Sequence, residues 1–173
     1  MKISELMMTR VTCCGPQANL AEAAEILWRH DCGVVPVVDE KKRIVGILTD
    51  RDICIALGTR EKRASDVAVE DVMSKNVFTC SPDDDVKSAL AIMHTRMVRR
   101  LPVVGPDKTV RGILSLSAVV RHASPSGELS YAAVMNVLKR LSERRVDHPA
   151  RTASTAQPIP CSTKVSPDPV LVR

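Results

Sequence analysis

The chain of 173 residues has almost no aromatic side chains: Trp28, Phe78 and Tyr131 are all it holds. Three rings cannot build a platform on which successive bases stack, so nucleic acid is not expected as a partner. No apolar run approaches the ~18 residues of a membrane helix, which excludes an integral helical membrane protein. The segment Met1-Lys2-Ile3-Ser4-Glu5 lacks the apolar core of a signal peptide, and a cytoplasmic protein is expected. None of the six cysteines (Cys13, Cys14, Cys32, Cys54, Cys80, Cys161) stands at C-x-x-C spacing from another. No histidine lies at zinc-ligand spacing from them, so no metal site is expected. Four of these cysteines sit in apolar stretches, where a free thiol packs as a small hydrophobe. Charge of one sign is also lacking. The net charge is +5, of which residues 1–123 carry +2 and residues 124–173 carry +3, too little for a nucleic-acid footprint.

What the chain does have is an internal repeat. Shifted by 66 positions, residues 3–57 fall on 69–123 without a gap, giving 13 identities in 55 positions. Pro36-Val37-Val38 meets Pro102-Val103-Val104, and Gly46-Ile47-Leu48 meets Gly112-Ile113-Leu114. Each unit opens with a short apolar segment, Val11 to Cys14 or Val77 to Cys80. A helix-period stretch follows, with Leu20, Ala23, Ala24 and Leu27 on one face, matched by Val86, Ala89, Leu90 and Met93. Two β-branched runs separated by a polar loop come next, and then a short helix starting at Thr49 or Ser115. The fold class is therefore α/β (α+β), with two β-α-β-β-α repeats. One such sheet is too small to bury both its faces alone. Two copies packed about a pseudo-twofold axis share a core and create two equivalent clefts. The expected organisation is repeat 1 over 1–60, a polar linker over 61–68 and repeat 2 over 69–123. A C-terminal helix over 128–146 and a disordered tail over 147–173, which has five prolines, complete the chain.

Read from the residues alone, Thr49-x-x-Asp52 is a helix-capping box variant. Gly46 and Gly112 are either sites of close packing or room for a ligand near the backbone. Arg99 and Arg100 stand side by side at the start of a middle strand, where guanidinium forks can hold phosphate or meet a carboxylate. Val77 and Phe78 are either core or a wall for a planar ligand.

The doubled pattern Val35-Pro36-Val37-Val38-Asp39 … Gly46-Ile47-Leu48-Thr49-Asp50-Arg51-Asp52, repeated as Leu101-Pro102-Val103-Val104 … Gly112-Ile113-Leu114-Ser115, resembles the CBS domain in tandem, the Bateman module. The resemblance covers roughly residues 1–123. It implies a regulatory module that binds an adenosine-containing ligand such as AMP, ADP or ATP between its repeats, with no cofactor required. It also implies that Asp52 accepts from the ribose hydroxyls, that Thr49 donates to a phosphate, and that Arg99 and Arg100 bind phosphate. Val77 and Phe78 would hold the adenine. The second repeat has Ala118 where the first has Asp52, and the first has Gly33-Val34 where the second has Arg99-Arg100. In modules of this kind the carboxylate of one unit works with the basic pair of the other. One cleft is thus expected to be competent and the other degenerate. A homodimer and an unidentified effector protein are the expected partners. The alternative is a ligand-free dimerisation or docking module. CBS pairs also occur within inosine monophosphate dehydrogenase, but 173 residues leave no room for its catalytic barrel, and no catalytic residues are assigned.

Overall fold

The computed structural model describes residues 1–125 and 129–143. Repeat 1 contributes α1 (Leu20–Arg29), β1 (Val35–Val38), β2 (Ile44–Leu48) and α2 (Asp50–Arg60); repeat 2 contributes α3 (Val86–Arg96), β3 (Arg100–Val104), β4 (Val110–Ser115) and α4 (Leu116–His122). A last helix, α5 (Tyr131–Ser142), follows. Each pair of strands is an antiparallel hairpin, Val35 opposite Leu48 and Leu101 opposite Leu114. Both hairpins carry the same register shift, between Val37 and Val38 and between Val103 and Val104. Both also turn through a left-handed lysine, Lys42 (φ 60) and Lys108 (φ 63), which are 66 residues apart. The backbone therefore repeats even where the loop sequences Asp39-Glu40-Lys41 and Gly105-Pro106-Asp107 do not.

The apolar segment that opens each repeat is shorter as a strand than its sequence suggests. Cys14 makes a single parallel bridge to Val37, and Cys80 a single one to Val103. Cys14 donates its N–H to the Pro36 carbonyl and accepts from Val38 N–H, but Pro36 has no N–H to return. Pro16 and Pro82 follow two residues on and cannot extend the pairing.

The apolar faces expected for the helices are the faces buried. Leu20, Ala23 and Leu27 join one core cluster, with Ala24 half-buried beside it; Val86, Ala89, Leu90 and Met93 join a second. Asn19 and Asp85 cap the two helices, accepting from the N–H of Glu22 and Lys87.

The stretches leading into the repeats are exchanged. Ile3 and Leu6 belong to the cluster of repeat 2, while Val67 and Val69 belong to that of repeat 1. Met8 pairs with Ile113 of β4 through reciprocal backbone bonds of 2.9 and 3.0 Å, and Ser74 pairs with Ile47 of β2 in the same way. These contacts are related by the 66-residue offset, so each repeat carries the flank that completes its neighbour. The axis between the repeats passes by the bridge of Arg43 to Thr109, which are themselves equivalent positions.

The helix α5 starts at the cap Ser130 and lays Val134 and Val137 against the second cluster, with Leu138 and Leu141 at the edge. Of the expected C-terminal helix over 128–146, positions 128 and 144–146 lie outside the described residues, as does the whole of the expected disordered tail over 147–173.

Candidate functional site

Thr49 follows β2 directly and caps α2. Its Oγ1 accepts from the Asp52 N–H at 3.2 Å and donates to Asp52 Oδ2 at 2.7 Å; the same Oδ2 accepts from the Thr49 N–H at 3.0 Å. The capping box read from the sequence is thus closed. It engages one oxygen of the half-buried carboxylate, and Oδ1 takes no hydrogen bond among the described residues. At the equivalent position Ser115 Oγ accepts from the Ala118 N–H at 3.1 Å, and the Ala118 methyl offers nothing in return. The second helix start therefore has half a box and no carboxylate.

Arg99 and Arg100 are exposed at the start of β3, where Arg100 stands opposite Ser115 and the Arg99 carbonyl accepts from the Leu116 N–H. Neither forms an ion pair among the described residues, and neither does Asp52. The Arg100 side chain crosses to repeat 1. Its guanidinium lies against Gly33, where a Cβ would meet Nη2 at 3.3 Å and Nη1 at 3.4 Å. Gly33 leads into β1, which pairs with β2 and so lies at the end of the sheet from which Thr49 and α2 depart.

Val77 and Phe78 are half-buried. The Phe78 ring packs at the edge of the second cluster with the Arg96 guanidinium 4.8 Å from its centroid, a cation–π geometry. The equivalent pair in repeat 1 is Thr12 Oγ1 with His30 Nε2, 3.0 Å apart. Arg96 was not singled out in the sequence. Its signal was the recurrence of a basic side chain at positions 30 and 96, where each helix ends.

Gly46 and Gly112 resolve to close packing. A Cβ on Gly46 would overlap the Met73 thioether, and one on Gly112 would stand 2.8 Å from the Met8 carbonyl and 2.9 Å from Met7 Sδ. The exchanged flanks fill this space.

Two cavities lie elsewhere. One of about 650 Å³ is walled by residues 13–17 and by the β1–β2 turn; another of about 350 Å³ opens between α1 and α2. Neither is lined by Thr49, Asp52, Val77, Phe78, Arg99 or Arg100. The thiols near the first cavity are held neutral. Burial pushes Cys14 up to about 11 and raises Cys13 against the opposing pull of Lys42. Burial, with Asp84 nearby, pushes Cys80 up to about 12. Such thiols are poor nucleophiles and poor metal ligands at neutral pH.

The family model for the CBS domain matches residues 3–59 and 69–124, the two repeats described above. The chain belongs to the CBS domain family. This CBS pair is 35% identical over 120 residues to an uncharacterized 17.7 kDa protein of Acidianus ambivalens, covering 69% of this chain and 71% of that one. Among solved structures it is similar to the CBS domain pair of protein MJ0100 in complex with 5′-methylthioadenosine and S-adenosyl-L-methionine. That match has a TM-score of 0.64 and 28% identity, and covers 70% of this chain and 94% of the other. It is also similar to CBSX2 in complex with AMP, with a TM-score of 0.61 and 26% identity, over 69% and 93% of the two chains. CBS pairs are regulatory modules. No helix among the described residues is long and apolar enough to cross a membrane.

Proposed function

We propose that this CBS pair is a non-catalytic sensor of an adenosine-containing nucleotide, AMP, ADP or ATP, passing the signal to an effector protein. Its single competent cleft lies at the end of the repeat 1 sheet. Asp52 accepts from the ribose hydroxyls through its free Oδ1, since a carboxylate suits a vicinal diol. Arg100, reaching across from repeat 2, and Arg99 beside it meet phosphate. The first amides of α2 face phosphate at the positive end of a helix, and Thr49 donates to it by turning its hydroxyl away from Asp52 Oδ2. Val77 and Phe78 bound the base. The cleft equivalent by symmetry has Ala118 and Gly33-Val34 in these places and is degenerate.

The observation that carries this reading is the seat of Arg100 on Gly33, on the side of the molecule where Thr49 and Asp52 stand. Support comes also from the adenosine ligands held by the two similar structures. A thermal-shift screen against AMP, ADP, ATP, NAD and S-adenosylmethionine tests it. A ligand at a hundredfold excess over its Kd adds ~2.7 kcal/mol to the native state. The expected result is a shift with one of them, lost in Asp52→Ala. A shift that persists in a folded Asp52→Ala protein overturns the cleft assignment.

A second reading, a ligand-free assembly module, is favoured by one observation: Thr49 and Asp52 already satisfy each other in a closed capping box. Absence of a shift with every adenosine ligand selects it.

A further inference from the structure

The cavity of about 650 Å³ takes no part in the cleft already described. Its size lies within the roughly 300–1,000 Å³ of small-molecule pockets. It opens at the turn end of the β1–β2 hairpin, whereas Thr49 and Asp52 stand where the chain leaves the opposite end of β2. Cys13, Cys14, Pro16 and Val38 give it an apolar floor, and burial holds both thiols neutral. The charges are at the mouth. Asp39 is already satisfied: one oxygen accepts from the Lys41 and Arg43 N–H groups at 2.9 Å, and the other from Arg43 Nε at 2.8 Å. Gln17 donates its amide to Glu70, which does not line the cavity, at 3.0 Å. That leaves Lys41, Lys42 and Glu40, all exposed and in no ion pair among the described residues. Two cations are thus set against one carboxylate.

We propose that this cavity binds a small organic anion, its apolar body on the thiol-lined floor and its charged head at Lys41 and Lys42. Apolar surface leaves water on the floor, and a lysine ammonium is a point charge on a flexible stem that suits heads of varied shape. The Lys42 charge already acts on the floor, where it pulls the Cys13 thiol down against the larger effect of burial. A cation finds no matching group, because the Asp39 carboxylate is engaged with Arg43. The mouth is also preorganised. The Lys42 carbonyl accepts from the Val110 N–H at 3.4 Å, and the Ile44 N–H donates to the Lys108 carbonyl at 3.0 Å, so repeat 2 holds the turn in place. Repeat 2 itself lacks the arrangement. Asp107 and Asp83 stand where Lys41 and Gln17 do, and Ser81 replaces Gly15. The site therefore belongs to repeat 1 and does not rest on the nucleotide assignment of the cleft.

The full chain is titrated with anilinonaphthalene sulfonate, an apolar anion whose emission rises when it leaves water. The expected result is a saturable rise. Phenylnaphthylamine, the same rings without the sulfonate, should bind about tenfold more weakly, the loss of one charge-assisted contact. Lys41→Glu combined with Lys42→Glu, at two exposed side chains, should keep a cooperative melt and lose affinity for the anionic dye by at least that factor. The same reversal at Lys62 and Arg63, exposed in the linker, should leave its affinity unchanged. Trp28→Lys in the α1–α2 cavity and Arg100→Ala in the cleft between the repeats should retain it as well. The proposal is overturned by a flat titration, by equal binding of the two dyes, or by affinity that survives the reversal of Lys41 and Lys42. Loss of binding on reversal of Lys62 and Arg63 would reduce the effect to the overall charge of the chain. Loss in Trp28→Lys or Arg100→Ala would move the dye to another place, and either result also overturns the proposal.

Discussion

Arg100 rests its guanidinium on Gly33, with 3.3 Å between Nη2 and the place a Cβ would take. The two residues stand at nearly equivalent starts of the middle strands, Gly33 matching Arg99 and Val34 matching Arg100. The missing basic side chain in repeat 1 therefore has a consequence for packing across the two units. It makes the space into which the basic side chain of repeat 2 reaches, so the two departures from symmetry are one feature.

Gly33→Ala tests that link. Gly33 has no positive φ, and its neighbour is the tip of a flexible side chain, so the fold should be unchanged or up to ~1 kcal/mol more stable. Arg100 must move, and nucleotide affinity should fall by severalfold in calorimetry. Unchanged affinity would show that Arg100 contributes nothing from this seat.

Gly112→Ala and Gly46→Ala should differ although they are equivalent positions. At Gly112 the new methyl meets the Met8 backbone carbonyl as well as Met7; at Gly46 its three nearest atoms all belong to the Met73 side chain, which can turn aside. Overpacking costs ~1–3 kcal/mol, and the larger loss is expected for Gly112→Ala in urea unfolding.

Ile3→Ala should be costly despite its place near the start of the chain. Ile3 is fully buried in the cluster of repeat 2, so a loss of ~2–5 kcal/mol is expected in denaturant melts. A change below ~0.5 kcal/mol, typical of exposed sites, would mean that the exchanged flank is not part of the core.

Acid should weaken the fold through three carboxylates held below their usual value of 3.8. Hydrogen bonds from the Arg43 side chain and backbone do this for Asp39. The Lys87 N–H and then the Met1 ammonium do it for Asp85, and the Thr109 hydroxyl and N–H for Asp107. A depressed folded pKa gives stability that is present above the unfolded value and lost as pH falls through the folded one. The melting temperature should therefore be level near neutral pH as far as these groups are concerned and drop below about pH 4, less steeply in Asp85→Asn, which no longer titrates there.

Much of this protein is local and was legible in its residues. The 66-residue offset is visible by aligning the chain with itself, and the helical faces of Val86, Ala89, Leu90 and Met93 and the Thr49–Asp52 box follow from spacings of a few positions. The roles of Gly46 and Gly112 were left open between a ligand and packing, because their neighbours Met73 and Met7 come from flanks whose partner no local pattern names. Repeats with near-identical hydrophobic patterns can be completed by their own flanks or by each other's. Only the three-dimensional path of residues 1–8 and 67–74 decides which. The crossing of Arg100 to Gly33 depends in the same way on the relative placement of two units. So does the placement of α5 against the core of repeat 2, with Trp28 of repeat 1 left exposed. The sequence by itself determined two CBS units and their caps, since hydrogen bonds and burial within a single unit dictate them. The tertiary structure decided how the units exchange flanks and which of their equivalent faces stay open, because those are long-range contacts between surfaces that look alike residue by residue.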